Sequence, residues 1–96
     1  MDINLNVYGS IISDDRVGEE VLEKIQDRLS KGENVIIDFS GVVSITTFNA
    51  KQIFGSLYSA IGADQFFKRI SFKNASKNVV TIIKLGIQDS IAEMSV

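Results

Sequence analysis

The sequence predicts a single α/β domain over residues 1–96: a small sandwich with three helices and a three- to four-stranded sheet, mixed or mostly parallel, in the order β-α-β-α-β-α. Three observations carry this prediction. Val35, Ile36, Ile37 and Phe39 form an apolar run with little alternation, which suits a central strand buried on both faces and ending at Asp38. On either side lie two stretches of helical period, Val17-Val21-Ile25-Leu29 and Ala50-Ile53-Phe54-Leu57-Ile61. A third apolar helix follows from Ser76 toward Ile91. Strands joined in sequence by helices pair in parallel through right-handed crossovers.

Each element has its own signal. Ile3, Leu5 and Val7 alternate with Asn4, Asn6 and Tyr8, the pattern of a first strand with one wet face. Gly9 to Ile12 offers a further short strand that would pair with the first as a hairpin. Ser13-Asp14-Asp15 supplies an N-cap for the first helix, Glu20 with Lys24 and Asp27 with Lys31 are i,i+4 pairs on its wet side, and Gly32 fits the C′ position. The second helix is expected to end at Gly62, and Phe66 to Phe72 reads as a strand with Ile70 and Phe72 as core residues. Only one of Phe66 and Phe67 should then be buried, because neighbours in a strand face opposite ways. In the last helix Val79, Val80, Ile82, Ile83, Leu85 and Ile87 occupy more than one face, so the helix is either deeply buried or leaves a face for a partner. Gly86 within it suggests close packing, since a mid-helix glycine costs about 1 kcal/mol relative to alanine.

Composition narrows the function classes. A chain of 96 residues, 45% hydrophobic and 23% charged, is an ordinary globular sequence able to bury roughly two-thirds of its unfolded surface. No signal-peptide pattern and no membrane-length apolar run occur, so cytoplasm is the expected location and no membrane partner is expected. Cysteine and histidine are absent, which removes disulfides, thiol nucleophiles, histidine bases and the usual zinc sites. No metal and no cofactor are expected. Residues 1–40 hold nine acids and four bases, net −5, whereas residues 41–96 hold three acids and six bases, net +3. That asymmetry suits a solvated surface or the steering of a protein partner. A pI near 5.0 and the lack of aromatics interleaved with the bases argue against nucleic acid.

The chemistry-bearing residues gather where the central strand gives way to the second helix. Nucleophilic hydrolysis would need a base beside Thr46 or Thr47, and only Lys51 lies near in sequence. Asp38 alone is no carboxylate pair, and no Gly-rich phosphate loop is present. A non-enzymatic role follows as the expectation. Either threonine can cap the second helix, and a hydroxyl there can also carry a phosphate, whose charge of about −1.5 to −2 the helix dipole tolerates.

Val35-Ile36-Ile37-Asp38-Phe39-Ser40-Gly41-Val42, then Ile45-Thr46-Thr47-Phe48 and the helix through Ile53-Phe54-Gly55, resemble STAS domains, the sulfate transporter and anti-sigma factor antagonist fold. The likeness is greatest to the short STAS-like domains of uncharacterised function and runs from about Arg16 to Ile87. STAS antagonists carry Asp-Ser-Ser-Gly or Asp-Ser-Thr-Gly at this junction, and an ATP-binding serine kinase phosphorylates the first hydroxyl. A gapless match anchored on Gly55 puts that acceptor at Thr47, the preceding acid at Thr46, the second hydroxyl at Phe48 and the glycine at Asn49. Three of the four positions therefore depart in type. The resemblance implies docking through this junction, the second helix and the loop from Asn74 to Lys77.

Together these readings predict a STAS-like protein-interaction module whose partner is an ATP-binding serine kinase or an anti-sigma regulator. Thr47 and Thr46 are the phosphoacceptor candidates, and Asp38, Ser44, Thr46, Thr47, Phe48, Asn49, Lys51, Asn74 and Lys77 form the partner-binding set. Two alternatives stand beside it: a constitutive adaptor or inhibitor acting through its charge asymmetry or last helix, and a small-ligand or nucleotide sensor using Asp38, Ser44 and Thr47.

Overall fold

In the computed structural model, which describes residues 2–94, the chain begins with β1 (Asp2–Asn4), a 3-10 turn (Leu5–Tyr8), β2 (Ile11–Ile12), α1 (Asp15–Ser30), β3 (Val35–Asp38) and β4 (Ser44–Ile45). One long helical run follows, made of α2 (Thr47–Ala50), a π-helical turn (Lys51–Gly55) and α3 (Ser56–Arg69). The chain then passes through β5 (Ile70–Lys73) into α4 (Lys77–Met94). Residues 1, 95 and 96 of the predicted domain lie outside the described residues. The architecture is a small α/β sandwich with three helical rods, in which β3 lies between β1 and β5 and all three strands are parallel. β2 and β4 form a separate parallel pair.

Register decides which side of the sheet is dry. Ile3, Ile37 and Phe72 form one cross-strand row, Val35 and Ile70 another, and these rows join Val21, Ile25, Ile53, Phe54, Leu57, Val79 and Ile83 in one apolar cluster. The opposite face carries exposed Asp2, Asn4, Ser71 and Lys73 around half-buried Ile36 and Asp38. β3 is thus central but dry on one face only, a correction to the expectation that both would be covered.

The first helix forms as its pattern predicts, with Val21, Ile25 and Leu29 buried, Asp14 capping through the Arg16 N–H at 2.7 Å, and Gly32 at φ 79° after the last turn. Lys31 pairs with Asp27 at 3.0 Å, whereas Lys24 donates to the Tyr8 hydroxyl. Three other expectations change. The first strand stops at Asn4 because the Asn4 side chain accepts a hydrogen bond from the Asn6 N–H, an Asx turn that diverts the backbone and leaves Val7 71% exposed. β2 does form within residues 9–12, yet it pairs in parallel with β4 rather than as a hairpin with β1. Beyond Gly62 the backbone returns to helix instead of strand, so β5 starts only at Ile70.

The break at Gly62 has a conformational cause. At φ 81° and ψ 164° it occupies a region open essentially to glycine alone. An unbroken helix would separate residues 58 and 66 by about 12 Å along its axis; the Tyr58 and Phe66 rings instead lie 5.5 Å apart. Phe66 is fully buried and Phe67 is 68% exposed, as expected of the pair, although adjacent helical positions rather than strand alternation divide them.

Candidate functional site

Thr46 ends β4's loop in extended conformation and caps the helical run that starts at Thr47, accepting a hydrogen bond from the Asn49 N–H at 3.1 Å. Its hydroxyl also donates to Asn49 Oδ1 at 3.0 Å. Asn49 is completely buried, and its amide nitrogen donates to the Asp14 carbonyl at 3.1 Å and to Gln52 Oε1 at 3.0 Å. Gln52 in turn donates to the Asp15 carbonyl at 3.0 Å. This relay ties the start of α2 to the start of α1. Asn49, expected on the partner-binding surface, is therefore an internal latch.

Thr47 faces the other way. It is exposed, and among the described residues its hydroxyl makes no hydrogen bond. Phe48 beside it is 57% exposed, an unusual place for a phenylalanine in so small a domain. Phe48, Lys51, Gln52 and Ser56 line one side of an open groove of about 550 Å³, with Ser90 and Glu93 of α4 on the other. Lys51 bridges that groove through an ion pair with Glu93.

Of the remaining predicted residues, Asp38 and Asn74 meet at the carboxyl end of the three-stranded sheet, while Ser44 and Lys77 stand apart from them. Asp38 Oδ1 accepts from the Ser40 N–H at 2.9 Å, the Ser40 hydroxyl at 2.8 Å and the Asn74 amide at 3.1 Å. Asn74, at φ 59°, also donates to Ser40 Oγ at 2.8 Å, and the Phe39 N–H donates to the Lys73 carbonyl at 2.9 Å. Asp38 and Asn74 therefore serve each other and close the sheet end. Ser44 belongs to β4 and Lys77 opens α4, exposed. Among the described residues no hydrogen bond joins Asp38 to Ser44 or Thr47.

The Ser40 backbone N–H, followed by the Asn74 amide and the Ser40 hydroxyl, holds the Asp38 carboxyl below its ordinary value near 3.8. A carboxylate whose folded pKa lies below its unfolded one contributes stability that is full above the unfolded pKa and is lost as pH falls through the folded one. Urea midpoints should therefore drop on acidification below about pH 4. Asp38→Asn, which retains an acceptor for Ser40, should lower the neutral midpoint and flatten that acid dependence; an unchanged slope would show that the network leaves the carboxylate indifferent.

The profile of a family described as a STAS-like domain of unknown function (DUF4325) matches residues 17–80, two thirds of the chain. The chain belongs to this STAS-like family. No curated protein and no solved structure matches it. The matched span of the STAS-like domain takes in Thr46 to Gln52 and the Asp38–Asn74 cluster and reaches the start of α4, whereas Asp14, Asp15, Ser90 and Glu93 around the Thr46 corner lie outside it. β1 and β2 lie before it. Among the described residues of the STAS-like domain no helix is long and apolar enough to cross a membrane, and no group of three acidic, histidine or cysteine side chains is placed to hold a metal ion.

Proposed function

We propose that this STAS-like domain is a non-catalytic, cytoplasmic protein-interaction module whose partner, an ATP-binding serine kinase or anti-sigma-type regulator, docks over Thr47 and Phe48, and that phosphorylation of Thr47 switches the contact. The observation supporting this reading is the division of labour between two adjacent threonines. Thr46 has its hydroxyl committed to Asn49, while Thr47 is exposed with its hydroxyl uncommitted beside an exposed aromatic. A phosphate on Thr47 would meet the N-terminal end of a helical run and leave the capping hydroxyl in place. The fold would persist. An aromatic anchor buried beneath a partner would instead have a dianion set next to it.

The test is affinity purification of the tagged domain from its native cells, with intact-mass analysis and binding by Thr47 variants. Thr47→Ala should bind the captured partner as the wild type does, and Thr47→Glu about tenfold more weakly. Thr47→Glu within about twofold of the wild type would end the switch reading.

A constitutive adaptor acting through its last helix draws support from Leu85 and Ile91, which are 45% and 40% exposed on α4. In that case Thr47 substitutions leave binding unchanged, and charge reversal at Lys73 and Lys77 removes it.

A further inference from the structure

Away from the Thr47 corner, residues of α3, β5 and α4 line a half-open cavity of about 330 Å³, within the size range of small-molecule sites. Its wall is aromatic. Tyr58 lies 5.5 Å from Phe66 and 6.2 Å from Phe67, and Phe66 meets Phe67 at 5.3 Å in a T-shaped contact. Phe72 carries the wall inward to the core through Phe54, 5.3 Å away. Val80 and Ile87 of α4 face these rings across the cavity. The break at Gly62 builds this arrangement, since it folds the segment bearing Phe66 and Phe67 back against Tyr58.

The polar lining is small and placed on one helix. Lys84 and Gln88, one turn apart on α4, contribute a cation and an amide to an otherwise apolar surface. Lys84 forms no salt bridge among the described residues. Lys68, adjacent to Phe67 in sequence, is a further cation of the second half of the chain. An apolar chamber with one uncompensated cation and an amide at its edge is complementary to a molecule with an apolar body and a single anionic head.

We infer that the cavity between α3 and α4 binds a free amphipathic carboxylate, with its alkyl or aromatic body against Tyr58, Phe66, Phe67 and Phe72 and its head group on Lys84 and Gln88. The site is separate from the Thr47 corner and does not rest on the proposed switch.

Displacement of the fluorescent probe anilinonaphthalene sulfonate from the intact protein tests this assignment. Decanoate should displace the probe, with octanoate and hexanoate weaker by about three- to fourfold for each methylene removed. Decanol should compete about tenfold less well than decanoate. Lys84→Gln, at an exposed position, should abolish the preference for decanoate over decanol while leaving the far-ultraviolet circular dichroism unchanged. Val80→Phe, which fills the chamber, should remove binding of both. Failure of decanoate to compete overturns the inference, as does displacement that Lys84→Gln leaves unaltered, or binding confined to vesicles of anionic lipid with none to monomeric decanoate. Should Val80→Phe fail to fold, the Lys84→Gln comparison decides the matter.

Discussion

Gly86→Ala should destabilise the domain by about 3 kcal/mol, although helix propensity alone predicts a gain of about 1 kcal/mol. A Cβ at residue 86 would lie 2.6 Å from the Lys51 amide nitrogen, 2.7 Å from the Ala50 carbonyl carbon and 2.9 Å from the Ala50 Cβ. Two of these three atoms are backbone, in the segment where α2 passes into the π turn, and backbone cannot swing aside as a side-chain end can. Either α4 moves away, opening space over buried Ala50 and Ile53, or the helical run bends. Gly18 provides the contrast. A Cβ there would meet the amide ends of Gln52 and Asn49, and Gln52 can rotate at the expense of its own hydrogen bonds. Urea unfolding should rank Gly86→Ala as costlier than Gly18→Ala. A Gly86→Ala protein that melts higher than the wild type would contradict the close approach of α4 to α2. Against a typical total of about 5–15 kcal/mol, the expected loss is large.

Asn49→Ala should cost about 2–4 kcal/mol, a large effect for a side chain that touches no proposed partner. Its removal leaves Gln52 Oε1 without its donor and takes one hydrogen bond each from the Asp14 carbonyl, which keeps the Gly18 N–H, and the Thr46 hydroxyl, which keeps the residue 49 N–H, around a site whose own side chain is completely buried. A buried polar group left unsatisfied costs about 1–3 kcal/mol, and the cavity adds to this. Unfolding of Asn49→Ala, Gln52→Ala and the double variant would measure the coupling. Non-additivity beyond about 0.5 kcal/mol is expected, because the two side chains share one relay between α1 and α2. Full additivity would mean that each side chain holds its carbonyl independently.

The sequence carried the architecture well where periodicity was strong and side chains were apolar. Val21, Ile25 and Leu29, then Ala50, Ile53, Phe54 and Leu57, are buried on the faces their spacing requires, and the Gly86 signal correctly marked a tight approach. It failed where a polar side chain redirects the backbone or serves a distant segment. The Asn4 turn cut short a strand whose alternation continued through Val7, and the glycine at residue 62 stopped one helical segment without ending helix altogether. Asp38 and Asn74 each read as surface contacts in sequence, and their separation of 36 residues hides that they bond to one another. Asn49 also reads as a surface residue in sequence, and its burial is hidden for a related reason. Its long-range partner, the Asp14 carbonyl, lies 35 residues away at the cap of α1, and the sequence does not show that contact. Thr46 and Thr47 looked equivalent in sequence, and only the start of the helix separates the capping hydroxyl from the exposed one.

The strand pairings bear on how this domain can assemble. Asp2 pairs with Ile36, Ile11 with Ser44 and Val35 with Ile70, so every ladder joins residues 33 to 35 positions apart, and among the described residues no two strands form a hairpin. Each ladder must close a loop containing a helix before any of its hydrogen bonds form, which places this small chain among topologies whose folding is limited by non-local contacts. During synthesis the first ladder waits for β3 to emerge, and the sheet acquires its third strand only with β5. Until then the apolar face of β3 has helices to collapse upon but one neighbouring strand at most, leaving its other edge open to any extended segment nearby.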